Sequence, residues 1–315
     1  MKKLATLFIA AMLIVVLAAC GSNSKDASTE ETASGDEKLT IKHELGTTEV
    51  PKNPKKVVVF DMGTLDSLDK LGVNVTGVPK DGLPSYLSKY KDAKYKNVGG
   101  LKEPDFEKVD QIHPDLIIIS GRQANLYDKF KKIAPTIYLG VDTKNYMKSF
   151  KHNAETLGDI FDKKSEVKKQ LAKIDDQIKA LHDKASKSDK KGLIILANDG
   201  KASAYGEGSR FGLIHDVFGV KPADKNIKAS IHGQSISFEY ILDKNPDYLF
   251  VVDRGAVVGG QSSAKQVVEN AIVKKTKAYK EHQIIYLNPN YWYLSGGGLI
   301  SVPEMAKEIS DSIKP

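Results

Sequence analysis

Apolar and polar positions follow one pattern twice along this 315-residue chain, over residues 105–122 and 237–254. Each copy passes from a helix-capping residue through Phe and Glu to a Pro-Asp pair, and then through an apolar run to an arginine. Proline halts the short helix before it, and the apolar run is typical of a parallel strand buried on both faces. We therefore expect each arginine at the carboxyl edge of a sheet, where open α/β folds bind ligands. The repeated pairs are Phe106 and Phe238, Glu107 and Glu239, Pro114 and Pro246, Asp115 and Asp247, and Arg122 and Arg254.

Short apolar runs alternate with helical segments through the rest of the chain, which predicts an α/β fold with mostly parallel sheets. The pattern restarts after residue 191, so we expect two lobes, each built on its own sheet, with a ligand cleft between them. Strands are predicted at 57–60, 75–78, 95–98, 116–119 and 136–139, and then at 192–197, 203–205, 249–252 and 283–287. Later helices are predicted at 211–218, at 264–274 and after Pro303.

One long amphipathic helix is predicted at residues 163–187, between the two lobes. Its apolar positions, 167, 171, 174, 178 and 181, are spaced 4, 3, 4 and 3 residues apart, and most of the others are charged or polar. This spacing buries one stripe and leaves the rest in water. At 1.5 Å per residue the helix spans about 35 Å, enough to bridge two lobes. A coiled-coil segment is the alternative, although the apolar seam covers only about two heptads.

Residues 1–19 have the features of a secretory signal, with two lysines followed by an apolar stretch too short for a comfortable membrane span. The stretch ends at Cys20, the only cysteine, so no disulfide forms within the chain. The next residues are small, polar and charged, which predicts a disordered tether. The predicted organisation is a signal peptide at 1–19, a tether at 20–38, a first lobe at 39–160, a bridging helix at 161–190 and a second lobe at 191–315.

Composition and charge narrow the choice of ligand. The formal net charge is +7, and removal of the two signal lysines lowers it to +5. Export argues against a nucleic-acid partner, and the basic balance favours an anionic small ligand or the anionic cell envelope. Of 47 Lys and Arg residues only three are arginines, Arg122, Arg210 and Arg254. Because arginine presents a rigid fork of donors that suits carboxylate and catecholate oxygens, we predict that all three bind the ligand.

Aromatic side chains are expected to complete the cleft, since ligand pockets are mostly apolar with a few polar anchors. Tyr291, Trp292 and Tyr293 follow the strand predicted at 283–287, and Tyr205 is close to Arg210 in sequence. We predict that these four bind the ligand, with core packing as the alternative for any one ring. Weaker candidates are Tyr127, Lys80 and the backbone of Met62 and Gly63.

The sequence offers little support for a metal site, a nucleotide site or a catalytic site. The seven histidines are never closer than 17 residues, so no local metal motif exists. Glycine-rich segments near 206 and 296 lack the lysine of a P-loop and the spacing of a dinucleotide site. We predict no catalytic residue, no metal site and no cofactor. The alternative from another class is an exported hydrolase that uses Ser209 and His215, although a G-x-S-x-G elbow is missing.

Several of these features together carry a resemblance to a known family. The ending Leu17-Ala18-Ala19-Cys20-Gly21 resembles the lipobox of bacterial lipoproteins. With the tether, the repeated segment, the long helix and the opening at 46–59, the chain resembles the substrate-binding lipoproteins of iron-siderophore and cobalamin ABC importers. More narrowly, it is similar to Gram-positive receptors for petrobactin and related catecholate siderophores.

The resemblance implies two rigid lobes with a shallow cleft and a ferric siderophore as the ligand, whose iron the siderophore itself holds. It further implies delivery to the transmembrane subunits of an ABC permease, and lipid on Cys20 that anchors the protein at the extracytoplasmic face of the cell membrane. Haem or cobalamin bound by the same fold is the alternative cargo.

The resemblance also implies a role for Glu107 and Glu239, which are expected to dock onto arginines of the two permease subunits. We expect both glutamates at the sheet edge opposite the three arginines. The alternative is that each glutamate only complements the dipole of its own helix.

Attachment to the membrane should depend on lipid at Cys20, because the tether has no apolar face of its own. Cys20→Ser should therefore abolish incorporation of labelled fatty acid and release the protein from the membrane fraction. Purified protein that starts at residue 20 should still bind ligand. Normal lipid labelling of the Ser variant would contradict the lipobox interpretation.

Overall fold

The computed structural model describes residues 37–314. The predicted signal peptide, Cys20 and all but the last two residues of the predicted tether lie outside these described residues. The described part begins with an antiparallel hairpin, β1 (Lys38–His43) and β2 (Gly46–Pro51), which the sequence analysis did not anticipate. Leu39 and Ile41 alternate with polar residues in β1 and pack against the core, so the hairpin covers one face of the first lobe.

Five parallel strands and the helices between them build the first lobe. The strands are β3 (Val57–Val59), β4 (Gly77–Val78), β5 (Lys96–Asn97), β6 (Leu116–Ile119) and β7 (Thr136–Tyr138). The helices are α1 (Met62–Lys70), α2 (Phe106–Ile112), α3 (Tyr127–Phe130) and α4 (Tyr146–Ile160), with 3₁₀ turns at Ser85–Lys91, Ala124–Leu126 and Thr143–Asn145. The strands lie in the order β5-β4-β3-β6-β7, all parallel, which confirms the predicted sheet.

The long helix α5 (Lys164–Ser186) follows directly, and its bounds agree with the predicted bridging helix. Its buried face is the predicted apolar stripe, from Val167 to Leu181 and on to Ala185. The stripe belongs to a single apolar core that also contains residues of both sheets. A helix whose buried face is continuous with both lobes resists bending, so the joint between the lobes is stiff.

The second lobe is built on a mixed sheet. Its strands are β8 (Lys191–Asn198), β9 (Lys201–Tyr205), β10 (Lys221–Pro222), β11 (Gln234–Ile236), β12 (Tyr248–Asp253) and β13 (Ile284–Leu287). Its helices are α6 (Leu213–Asp216), α7 (Phe238–Lys244), α8 (Gly255–Val258), α9 (Ala264–Val268), α10 (Lys277–Lys280) and α11 (Ser301–Ser312), with a 3₁₀ turn at Val273–Lys275 and a π-helical turn at Asn290–Ser295. The order is β11-β9-β8-β12-β13, in which β8, β12 and β13 are parallel and β9 is antiparallel to both of its neighbours.

The last helix, α11, does not stay with the second sheet. Gln177 and Lys184 of α5 donate hydrogen bonds of 2.7 Å to the carbonyls of Pro303 and Ser310. The helix begins at Ser301, two residues before the Pro303 expected to precede it. Proline is tolerated there because the amides of the first turn have no partner within the helix. The chain therefore returns from the second sheet to the bridging helix.

The repeated segments share their helix caps and stops. Asp105 caps α2 by accepting from the amide of Lys108, and Ser237 caps α7 in the same way. Each helix ends at a residue in the left-handed region, His113 with φ 50° and Asn245 with φ 40°. This backbone turn lets the chain enter the following proline in extended form.

The repeated aspartates tie neighbouring strands together. One carboxylate oxygen of Asp115 accepts from the amides of Lys55 and Lys56, both at 2.8 Å, just before β3. Asp247 accepts from the amide of Lys191 at 2.8 Å, at the start of β8. In each lobe the motif therefore fixes the amino end of its strand against the adjacent central strand, which sets the register on which the opposite edge depends.

The topology corrects the expected position of Glu107 and Glu239. The helix α2 begins beside the carboxyl end of β5, where the Asp105 amide donates to the Val98 carbonyl at 2.9 Å. A helix that leads into a parallel strand runs back across the sheet, so its first turn lies at the carboxyl edge. The same holds for α7, which follows β11. Both glutamates are exposed at the same edge as the arginines, and the prediction of opposite edges was wrong.

Two predicted helices are shorter than expected. The segment at 264–274 forms α9 and a separate 3₁₀ turn, because the Asn270 side chain accepts from the amides of Ile272 and Val273 and closes a local turn instead. The segment at 211–218 is helical only in α6.

Candidate ligand-binding site

The three arginines converge on Tyr293. The Tyr293 carbonyl accepts from Nη2 of Arg122 at 2.7 Å and from Nη2 of Arg210 at 2.6 Å. The Tyr293 hydroxyl accepts from Nε of Arg254 at 2.9 Å. Arg122 comes from the first lobe and the other two come from the second, so the cluster joins the two lobes across the cleft.

Each arginine is placed by the end of a strand. Arg122 follows β6, and Arg254 follows β12 in the second copy of the repeat. Asn198, the last residue of β8, accepts from Nη1 of Arg254 at 2.6 Å and fixes its orientation. Arg210 lies in the loop between β9 and α6, where its amide donates to the Ser230 carbonyl.

The π-helical turn at Asn290–Ser295 supplies the acceptors. The last carbonyls of a helical turn have no partner within it. Here those of Tyr293 and Leu294 point at guanidinium groups, the second accepting from Nη1 of Arg122 at 3.3 Å. Gly296 and Gly297 end the turn with φ of 68° and 69°, a left-handed pair that L side chains rarely adopt. π-Helical turns are often found at functional sites.

The cluster is strongly cationic. Among residues 37–314, no carboxylate forms an ion pair with any of the three arginines. Burial lowers the pKa of Arg122, and the nearby charge of Arg210 lowers it further. Burial alone raises the pKa of Tyr293, but the hydrogen bond from Arg254 and the charges of all three arginines outweigh it, so this pKa lies below its usual value. The site therefore favours negative charge.

The aromatic candidates separate into two groups. Only Tyr293 contacts the arginines, with the guanidinium carbon of Arg210 4.3 Å from its ring centre and that of Arg254 5.8 Å away. Trp292 is 3% exposed and donates through Nε1 to Glu308 at 2.8 Å, so it packs in the core and the structure does not bring it to the cleft. Tyr291 packs against Tyr86, with ring centres 4.7 Å apart.

Tyr205 is also largely enclosed, at 2% exposure. It packs against Phe211 and donates to the His232 carbonyl at 3.0 Å. Tyr205 therefore packs against the loop that carries Arg210. Its contact with the ligand stays a prediction.

The weaker candidates lie outside the cluster. Tyr127 contacts His43 of the hairpin edge-on, at 5.5 Å between ring centres. The Lys80 ammonium donates to the carbonyls of Lys91 and Asp92 at 3.0 and 2.8 Å, so it holds the end of the 3₁₀ turn at Ser85–Lys91. Met62 is fully buried, and Gly63 lies against the Gly296 carbonyl with no room for a Cβ.

The geometry does not support the hydrolase alternative. The Ser209 hydroxyl is buried and donates to the Gly206 carbonyl at 2.5 Å, and Nδ1 of His215 pairs with the Val220 carbonyl at 2.7 Å. The two side chains have other partners and do not form a nucleophile and base pair. Within the described part of the chain, no three His, Cys, Asp or Glu side chains come close enough to hold a metal ion.

Two large apolar side chains are exposed, which the sequence did not predict. Ile231 is 61% exposed and follows Ser230, whose carbonyl accepts from the Arg210 amide. Val258 is 44% exposed, four residues after Arg254 in α8. Single apolar residues carry no periodic signal, so the sequence alone does not show that these two are exposed.

The fold and this site define a class: a solute-binding protein with two α/β lobes, a stiff helical connection and a cationic cleft. The sequence profile described as periplasmic binding protein matches residues 57–291. The chain belongs to this family.

Several known proteins are similar to this chain. The petrobactin-binding protein YclQ of Bacillus subtilis (strain 168) is 59% identical over 100% of both chains. Its crystal structure superposes with a TM-score of 0.87 at 61% identity, over 89% of this chain and 99% of that one. The ferric-anguibactin-binding protein FatB of Vibrio anguillarum is 34% identical over 86% of both chains. The siderophore-binding protein BauB, solved with two acinetobactin molecules and ferric iron, has a TM-score of 0.81 at 35% identity, over 88% of this chain and 98% of that one.

Replacement of any one arginine of the cluster by Gln should weaken binding of an anionic ligand in the cleft by roughly ten- to a hundredfold, because a charged hydrogen bond contributes about 1.5–3 kcal/mol. Arg→Lys should restore only part of the affinity, since an ammonium does not present a planar fork. Titration of Arg122→Gln, Arg210→Gln and Arg254→Gln measures this effect.

The matched control is Lys80→Gln, which removes a cation that is bound to loop carbonyls outside the cluster. It should bind like the parent. Parent-like binding by all three arginine variants would place the ligand elsewhere.

Proposed function

We propose that this protein is the substrate-binding lipoprotein of an ABC importer and that its ligand is a ferric siderophore of the petrobactin kind, with catecholate and carboxylate oxygens. The observation that carries the proposal is the arginine cluster, which draws on both lobes and has no carboxylate partner within residues 37–314. A ferric siderophore with anionic oxygens supplies the missing negative charge, and guanidinium forks match paired oxygens. Iron arrives as cargo held by the siderophore.

The relatives support this ligand class. A petrobactin-binding protein is 59% identical over the whole chain, and the two more distant relatives are named for ferric anguibactin and for siderophore binding. The matched relatives are binding proteins, which supports a function without catalysis. Membership of the same family supports the proposed handover of the ligand to a permease.

The amino terminus supports attachment to the membrane by lipid. No helix within residues 37–314 is long and apolar enough to cross a bilayer. The lipobox-like sequence before Cys20 offers an anchor, and two of the relatives are described as lipoproteins. A diacylated Cys20 followed by a polar tether would keep the folded part near its permease at the extracytoplasmic face.

Fluorescence titration of the purified protein tests the proposed ligand. Trp292 is the only tryptophan and adjoins Tyr293, so a ligand at the arginine cluster should quench its emission. The panel comprises ferric petrobactin, a ferric tris-hydroxamate, haem and cobalamin. We expect the tightest saturable quenching from ferric petrobactin, because it carries the most negative charge on paired oxygens. Quenching by haem or cobalamin alone would overturn the proposal.

We propose in addition that Glu107 and Glu239 dock the protein onto basic residues of the two permease subunits. Both are exposed in the first turn of repeated helices, at the edge that also carries the arginines. The face that holds the ligand would then meet the permease directly. Glu107 accepts one hydrogen bond, from Gln111 at 3.3 Å, and otherwise faces solvent. A role in the helix dipole alone contributes only about 0.3–1 kcal/mol at an exposed site.

The double variant Glu107→Arg/Glu239→Arg separates docking from a dipole role. Docking predicts that uptake of the iron-siderophore by cells is lost while ligand affinity of the purified protein stays within about threefold, because like charges across an interface cost several kcal/mol. A dipole role predicts a lower melting temperature with uptake nearly intact.

The matched control is Glu155→Arg/Glu281→Arg, which makes the same charge change at two other exposed glutamates. It should transport normally. Normal uptake by the Glu107/Glu239 double variant, at normal expression, would refute docking.

A further inference from the structure

The segment that carries Tyr293 is anchored on the first lobe, although it follows the last strand of the second. We call residues 290–301 the cleft segment. Its far end is held by α1 of the first lobe: Oδ1 of Asp66 accepts from the Ile300 amide at 3.2 Å and Oδ2 from the Ser301 amide at 3.0 Å. The Ser67 hydroxyl accepts from the Leu299 amide at 3.0 Å.

A second contact reaches the middle of the cleft segment. The Tyr86 hydroxyl lies between Oδ2 of Asp66, at 3.0 Å, and the Ser295 hydroxyl, at 2.6 Å. Asp66 therefore holds the end of the segment directly and its middle through Tyr86. Tyr293 lies two residues before Ser295, so these contacts constrain the position of its carbonyl and ring.

Asp66 is an unusual choice for a purely structural position. Its side chain is fully buried, and among the described residues no cation pairs with it. Burial raises the pKa of Asp66 to about 7, against the opposite effect of its donors. Burial of a carboxyl group without a cation costs stability, and an apolar residue would pack at lower cost. The cost is offset by the Ser301 side chain, by the amides of Ile300 and Ser301 and by the Tyr86 hydroxyl.

We infer that Asp66 is a positioning residue for ligand binding, which fixes the cleft segment so that Tyr293 meets the arginines of both lobes. Arg122 reaches the Tyr293 carbonyl from the first lobe only while the cleft segment is held against that lobe. Asp66 acts through Tyr293 and does not touch the ligand. The inference rests on the proposed function, because the affinity it predicts is for a ferric siderophore.

Gly298 supplies an independent check on this contact. A Cβ at Gly298 would overlap both carboxylate oxygens of Asp66, which with their carboxyl carbon are the atoms nearest to it. The φ of Gly298 is outside the left-handed region, so the backbone admits an alanine there and the Asp66 carboxylate is the first group that opposes it. Gly298→Ala should therefore displace the same segment as Asp66→Ala, and removal of the carboxylate should make room for the extra methyl group.

The experiment compares Asp66→Ala, Gly298→Ala and the double variant with the parent, using ferric petrobactin as the probe. Each single variant should bind about tenfold more weakly, as expected if the competent arrangement falls to about a tenth of molecules. The double variant should bind no more weakly than either single one, because both changes disturb one contact. Trp292 emission without ligand should shift in the single variants, since this residue lies in the cleft segment.

The control is Asp69→Ala, one turn along α1, whose carboxylate pairs with Lys89 and accepts from the Tyr90 hydroxyl at 3.3 Å. It should lower the melting temperature like Asp66→Ala but leave affinity within about twofold and Trp292 emission unchanged. Unchanged affinity in Asp66→Ala, or additive losses in the double variant, would overturn the inference.

The experiment also distinguishes a variant that does not fold from a parent that does not bind the probe. If Asp66→Ala does not fold, Gly298→Ala alone tests the contact, because it keeps the carboxylate. If the parent does not bind ferric petrobactin, the proposed function fails, while the Trp292 emission of the same variants still decides whether Asp66 holds the cleft segment.

Discussion

The binding site brings three guanidinium groups together, and the rest of the structure must offset the repulsion between them. Arg122, Arg210 and Arg254 meet around one tyrosine without a carboxylate to neutralise them in the described part of the chain. Oriented dipoles offset the repulsion, namely two backbone carbonyls, an amide oxygen and a phenol, and the charge of Asp61 adds to their effect at Arg122. Such a site holds together only if the surrounding chain is rigid, since mobile side chains would swing apart into water. The stiffness of the rest of the molecule is therefore part of the binding chemistry.

Three features of the fold supply this rigidity. The repeated motif fixes strand register at the amino edges through Asp115 and Asp247, and the register carries through four to six residues of strand to the arginines at the other end. Helix α5, whose apolar stripe is buried in a core common to both sheets, fixes the distance between the lobes. The cleft segment adds a second connection between the lobes, because it leaves the second sheet and is held by Asp66 of the first lobe. Arginines from separate lobes can face each other because α5 and the cleft segment join the lobes, while the repeated motif fixes each arginine within its own lobe.

Much of this could be predicted from the sequence where a signal is local and periodic. The strand at Leu116–Ile119 was found as predicted, because an apolar run bounded by proline and a turn has few other uses. The positions of Arg122 and Arg254 at the ends of strands could be predicted from the repeat, whereas Arg210 lies in a loop. Trp292 and Tyr293 could not be separated in this way, because a π-helical turn changes which side chains face inward, and nothing in three consecutive aromatic residues marks it. The prediction for Glu107 and Glu239 was wrong for a geometric reason. The helix before a parallel strand starts at the carboxyl edge of the sheet, whereas the prediction put its start at the amino edge.

The contacts that no sequence pattern could reveal are those between Asp66 and residues 298–301, which lie far apart along the chain. They show why a buried acid in a short amphipathic helix need not be a catalytic group. Its partners are amides at the start of α11, which need an acceptor, and a carboxylate offers two oxygens where a serine offers one. The two oxygens of Asp66 reach both amides and the Tyr86 hydroxyl together. The same acid therefore satisfies the helix end and holds the turn that opposes the arginines, which couples the stability of the last helix to the shape of the binding site.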